Sequence, residues 1–133
     1  NSLQEILIKN LINTRIKRNY LIEDIYKEIE DCKGIIKVSH LLKKFNTNYK
    51  RFERLFLKYF GISASLYIRY RRMHYILKEV NEVNNKPDFM SIVVKFNFHD
   101  QSHFIKEFTD LVGVPPLSLY GDNNTLQKFY LEI

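Results

Sequence analysis

Arg54 and Lys106 stand at the same register of two copies of one pattern, and both side chains can read base edges. An arginine guanidinium forks onto O6 and N7 of guanine, and a lysine ammonium reaches the same atoms. Beside Arg54 the pattern exposes Lys50 and Arg51; beside Lys106 it exposes Gln101 and Ser102. Glutamine pairs with N6 and N7 of adenine. Lys50, Arg51, Arg54, Gln101, Ser102 and Lys106 are therefore the base-reading candidates. Tyr49, Lys58 and His103 lie within reach of phosphates on the same two segments. For any single Lys or Arg on an amphipathic helix, a solvated face is the simpler explanation. The shared register of Arg54 and Lys106 favours a common task.

Other chemistries lack their residues. No carboxylate pair, nucleophile–base set, metal-ligand cluster or glycine-rich phosphate loop stands out, so neither an enzyme nor a metal or cofactor is expected. His40, His74, His99 and His103 form no ligand set; His99 and His103 are four apart but straddle a helix start. Cys32 is the only cysteine, which excludes an internal disulfide and suits the reducing cytoplasm. Its neighbours predict a half-buried, inert thiol. The net charge of +6 favours an anionic partner, either nucleic acid or a membrane surface. The apolar stretch near the N-terminus is interrupted by Gln4, Glu5, Lys9 and Asn10, so it reads as neither a signal peptide nor a membrane span.

The elements that must hold these side chains come from an internal repeat. Leu41, Leu42, Phe45 and Asn46 recur fifty-one positions on as Ile92, Val93, Phe96 and Asn97. Phe52, Arg54, Phe56, Gly61 and Ile62 recur fifty-two positions on as Phe104, Lys106, Phe108, Gly113 and Val114. The extra residue falls in or just after the second turn, where no helical face has to rotate to absorb it. Each copy predicts a short helix, a tight turn and a longer helix. In the first copy these span about 38–45, 46–48 and 49–60. In the second they span about 89–96, 97–100 and 101–112. Asn46 and Asn97 suit a left-handed turn residue, and Asn48 and Asp100 suit helix N-caps.

Leu66, Tyr70, Met73, Leu77 and Val80 step by four, three, four and three, which predicts a connecting helix over about 65–80. Arg69, Arg71 and Arg72 on that helix could contact phosphates or simply solvate its outer face. Backbone N–H groups near Ser63 and Ser91, at two helix starts, offer further phosphate contacts. Leu21, Ile25 and Ile29 predict a helix over about 20–32, ended by Lys33 and Gly34. Residues 1–18 read as a linker helix or the remnant of an upstream domain. The whole is all-α: two helix-turn-helix units at about 35–62 and 87–121 joined by the connecting helix within a domain over 19–121, about seven helices plus the N-terminal linker helix. A last short helix is expected near 117–120, a polar loop over 81–86, and a tail over 122–133.

Phe52-Glu53-Arg54-Leu55-Phe56 and Gly61-Ile62-Ser63 form one motif. Phe98-His99-Asp100-Gln101-Ser102-His103-Phe104 and Gly113-Val114-Pro115-Pro116 form another. Together they resemble the C-terminal domain of AraC-family transcriptional regulators, over about 35–121. The resemblance implies bacterial transcription regulation, two recognition helices in adjacent major grooves of double-stranded DNA, and activation through contact with RNA polymerase. It carries the family's base-reading positions to Lys50, Arg54, Gln101 and Lys106. It also implies an effector-binding or dimerisation domain upstream, which nothing in this chain matches. The family commonly has Ala where Leu42 and Val93 stand, and Gly where Asn46 and Asn97 stand. The alternative is a helical protein-interaction module that reuses a tandem helix-turn-helix.

The two halves differ in charge. The first recognition segment sets Lys50, Arg51, Arg54 and Lys58 against Glu53. The second sets Lys106 against Asp100, Glu107 and Asp110. The first unit is therefore expected to supply most of the affinity, and Glu107→Gln to strengthen binding by removing a charge near the phosphates.

Overall fold

Local chemistry fixes where the helices stop. The computed structural model describes residues 2–13, 20–82 and 88–119. Among these are seven α-helices, a closing 3-10 turn at Pro116–Leu119, and no strand. They are α1 (Leu3–Asn13), α2 (Tyr20–Asp31), α3 (Val38–Lys44), α4 (Tyr49–Phe60), α5 (Ala64–Glu82), α6 (Phe89–Lys95) and α7 (Gln101–Val112). The expected linker beyond residue 13, most of the 81–86 loop and the tail lie outside the described residues. Asn81 and Glu82 of that loop belong to α5.

The two helix-turn-helix turns are built alike. Asn46 and Asn97 are left-handed, at φ 47 and 56. After α3, the Thr47 N–H donates to the Leu42 carbonyl at 3.0 Å and the Asn46 N–H to Lys43 at 3.3 Å. After α6, the Phe98 N–H donates to Val93 at 2.9 Å and the Asn97 N–H to Val94 at 3.3 Å. This paired closure satisfies the last carbonyls of a helix and reverses the chain in two residues. Asparagine can do it because its short polar side chain tolerates the left-handed region. Val93 is buried within the second core, and Leu42, at the equivalent position, packs half-buried against the first.

The cores are separate. One gathers Ile22, Ile25, Ile29, Leu41, Phe52, Leu55, Phe56, Ala64, Tyr67 and Ile68. The other gathers Met73, Ile76, Leu77, Val80, Ile92, Val93, Phe96, Phe98, Phe104 and Phe108. Helix α5 contributes its first half to one and its second half to the other. The expected stripe along α5 is corrected accordingly: Tyr70 is exposed and Leu66 only half-buried, whereas Tyr67, Ile68 and Ile76 are buried. A helix serving two cores on different sides has no single apolar stripe. Within each core the repeated phenylalanines stack, Phe52 on Phe56 at 4.9 Å between centroids and Phe104 on Phe108 at 5.7 Å. Burying each such ring contributes about 1.5–3 kcal/mol.

The segment that follows α2 bridges the cores. Ile35 packs on the second core and Ile36 on the first. Gly34, at φ +73, permits this by lying directly on α5. A Cβ there would overlap the backbone nitrogen of Arg72 and fall 2.7 Å from its Cα. Gly61, which ends α4 at φ +72, has nothing within 4 Å of the same position. Cys32 lies two residues before Gly34, half-buried, with its Sγ 4.0 Å from Glu28 Oε1. Burial first, and the Glu28 carboxylate second, push its thiol up and away from thiolate chemistry.

The contrast between the two glycines is measurable. Gly61→Ala should cost only the left-handed strain, about 1–2 kcal/mol. Gly34→Ala should cost clearly more, because backbone has to move as well. Urea unfolding of the two variants checks this, and equal losses would mean that α2 does not end against α5.

Candidate nucleic-acid interface

Helix α4 begins at a cap made by its own sequence. The Asn48 side chain accepts the Arg51 N–H at 2.9 Å. The cap sets the rotation of the helix, so that Phe52, Leu55 and Phe56 face the core. Tyr49, Lys50, Arg51, Arg54 and Lys58 are left exposed, as the sequence predicts. Leu57 is exposed among them, a large apolar side chain that sequence reasoning passed over. Glu53, the one acidic residue of this helix, is withdrawn from the exposed row. Its Oε1 accepts the Ala64 N–H at the start of α5, at 3.2 Å.

Helix α7 repeats the arrangement. Asp100 Oδ1 accepts the His103 N–H at 2.7 Å, and Phe104 and Phe108 turn inward. Gln101, Ser102, His103 and Lys106 are exposed. The His103 ring stands edge-on to Phe98, 5.3 Å between centroids. Its Nδ1 accepts the His99 N–H at 3.3 Å, so the two histidines do straddle the helix start.

Several expected contacts are corrected. Arg71 and Arg72 are neither a solvated face nor free for phosphate. Arg71 Nε and Nη2 meet Glu30 Oε1 and Oε2 at 2.5 and 2.9 Å. Burial disfavours the Arg71 charge, but the hydrogen bonds and charge of Glu30 outweigh it and raise its pKa. Arg72 Nη2 meets Glu107 Oε1 at 2.6 Å, and Arg69 Nε lies 3.5 Å from the same oxygen. Glu107 is thus buried at 7% exposure, not placed among the phosphates. Substituting it would strand Arg72 rather than relieve the DNA, so the expected gain from Glu107→Gln is withdrawn. The signal was present: Glu107 is three residues after Phe104 and next to Phe108, on the buried face.

The helix starts near Ser63 and Ser91 are also filled. Ser63 Oγ accepts the Leu66 N–H at 3.2 Å, beside the Glu53 carboxylate on Ala64. Asp88 accepts the Met90 N–H at 3.0 Å, and the Ser91 hydroxyl donates to Asp88 Oδ2 at 2.9 Å. A carboxylate already occupies the place an anion would take.

Two capped helices, each presenting exposed polar residues from the start of its second half-motif, are the geometry of a tandem helix-turn-helix. The family model described as a helix-turn-helix domain, of the AraC type, matches residues 41–120, more than half of the chain. The chain belongs to the AraC family of DNA-binding domains. It is a DNA-binding domain of transcription regulation. No curated protein matches the chain. In this AraC-type domain the match starts inside α3 and runs through α7 and the 3-10 turn. No helix of the described residues is long and apolar enough to cross a membrane.

The α7 cap gives a pH signature. The His103 N–H bond holds the Asp100 carboxyl below the usual carboxylate range. A depressed folded pKa adds stability that is complete above the unfolded value, about 3.9, and is lost as pH falls through the folded one. Asp100→Asn keeps a cap that cannot titrate. Below about pH 4 the wild type should therefore lose stability relative to Asp100→Asn. Urea unfolding at pH 5 and pH 3 reads the difference; a gap that does not change would mean that the carboxylate is not the cap.

Proposed function

We propose that α4 and α7 are two recognition helices that enter adjacent major grooves on one face of double-stranded DNA. The observation that carries this is the matching exposed register: Arg54 and Lys106 stand two residues past the repeated Phe52 and Phe104, on helices with equivalent caps. Arg54 and Lys50 read bases from the first helix, with Arg51 beside them. Gln101, Ser102 and Lys106 read bases from the second. Tyr49 and Lys58 meet phosphates, whereas both ring nitrogens of His103 are already engaged, Nδ1 by the His99 N–H and Nε2 by Glu107. RNA polymerase as a second partner, and a regulatory domain joined upstream of α1, follow from the family resemblance alone.

The charge asymmetry assigns the two helices different shares. With Glu53 engaged at the start of α5, the exposed ionic side chains of α4 are Lys50, Arg51, Arg54 and Lys58, all cationic. On α7, exposed Lys106 is matched by exposed Asp110. Phosphate neutralisation supplies the sequence-independent part of affinity and sets its salt dependence. The first helix therefore anchors, and the second refines register through Gln101 and Lys106.

Titrations on duplexes selected from a random pool test this. Arg54→Ala should cost roughly 1–3 kcal/mol on the selected site and relax preference at one base pair. Neutralising Lys50 and Arg51 together removes two of the four cations that α4 brings to the polyanion, and should flatten the plot of log affinity against log salt by about one unit or more, further than Lys106→Ala does. Unchanged sequence preference for Arg54→Ala would refute the register. A wild-type affinity that ignores salt would favour a protein partner instead.

A further inference from the structure

A carboxylate on the buried face of a recognition helix is costly unless it is paired. Glu107 is paired three times over: with Arg72 at 2.6 Å, with Arg69 at 3.5 Å and with His103 Nε2 at 3.4 Å. Arg69 and Arg72 sit one turn apart on α5, so the carboxylate sees both only when α7 lies at one height and one rotation against that helix. Apolar packing between Met73, Leu77, Phe104 and Phe108 would tolerate small slides; this ionic contact does not.

Arg72 is itself held from three sides. Its guanidinium carbon lies 4.3 Å from the centroid of Phe98, in the turn before α7. Its backbone is against Gly34. Its buried Nε has no hydrogen-bond partner among the described residues, which leaves Glu107 as the carboxylate that keeps the cation in place. The neighbouring Arg71 binds Glu30 of α2, and the Tyr75 hydroxyl donates to Glu30 Oε2 at 2.7 Å. Two consecutive arginines thus fasten α2 and α7 to the same turn of α5.

We propose that Glu107 is a positioning residue that fixes the offset between the two recognition helices, and so sets the spacing between half-sites that the domain accepts. This rests on the two-groove reading above. One inserted base pair displaces the second groove by about 3.4 Å and roughly a tenth of a turn. A domain locked at one offset must lose contacts to follow it; a domain hinged on apolar packing can follow.

The test uses the full chain and a selected duplex whose two contacted segments are located by base substitution. Affinity is compared between that duplex and one with a single base pair inserted midway between the segments. The wild type should lose about tenfold or more on insertion, the scale of one or more lost base contacts. Glu107→Gln should lose less than about threefold on insertion. The double variant Arg72→Met, Glu107→Gln leaves no arginine stranded at that point and should behave likewise, which covers poor folding of the single variant. Thermal unfolding shows that each variant is folded at the assay temperature. A wild type indifferent to insertion overturns the two-groove reading, and this proposal with it. A wild type that discriminates, alongside a folded variant that discriminates equally, overturns the role of Glu107 alone.

Discussion

One helix has to complete two cores. Neither helix-turn-helix unit closes without α5: Ala64, Tyr67 and Ile68 fill the first, and Met73, Ile76, Leu77 and Val80 fill the second. The positions of α4 and α7 are consequences of that sharing. Each packs its phenylalanine face onto its own half of α5, and a nearly continuous nineteen-residue helix fixes the distance between them. The polar groups follow the same division, with Arg71 held by α2 on the side of the first core and Arg72 by α7 on the side of the second.

This sharing also decides which charges remain for a partner. Four carboxylates that a sequence count would set against DNA are already engaged. Glu30 holds Arg71, Glu53 and Asp100 cap helices, and Glu107 holds Arg72. The same pairings remove Arg71 and Arg72 from the basic surface. What is left exposed on α4 is more cationic than its composition suggests, and α7 has lost a carboxylate from its exposed face. The electrostatic inequality between the halves persists, but it arises from different residues than a count of charges implies.

Much of the fold was legible because its signals are local. Asn46, Asn97, Asn48, Asp100, Gly61 and Gly113 act through bonds to residues within five positions, so turn and cap chemistry placed α4 and α7 at the residues where they begin and end. The exposed rows on those helices followed from the phase of the phenylalanines. What the sequence did not reveal depends on distant partners. Glu107 finds Arg72 across 35 residues, and Arg71 finds Glu30 across 41. The buried set of α5 was misjudged in part because one periodicity cannot describe a helix with two partners on two sides. The helix start at Ser63 reads as open because the carboxylate that fills it, Glu53, comes from eleven residues before Ala64, whereas Asp88, which fills the start at Ser91, is a local N-cap and was legible.

The central claim is that α5 holds two recognition helices at one offset suited to two successive grooves. Hydroxyl-radical footprinting of the chain on a selected duplex tests it most directly. The account predicts two protected segments on the same face of the DNA, about 10 bp apart centre to centre. A single protected segment, at any salt concentration that still supports specific binding, would contradict it.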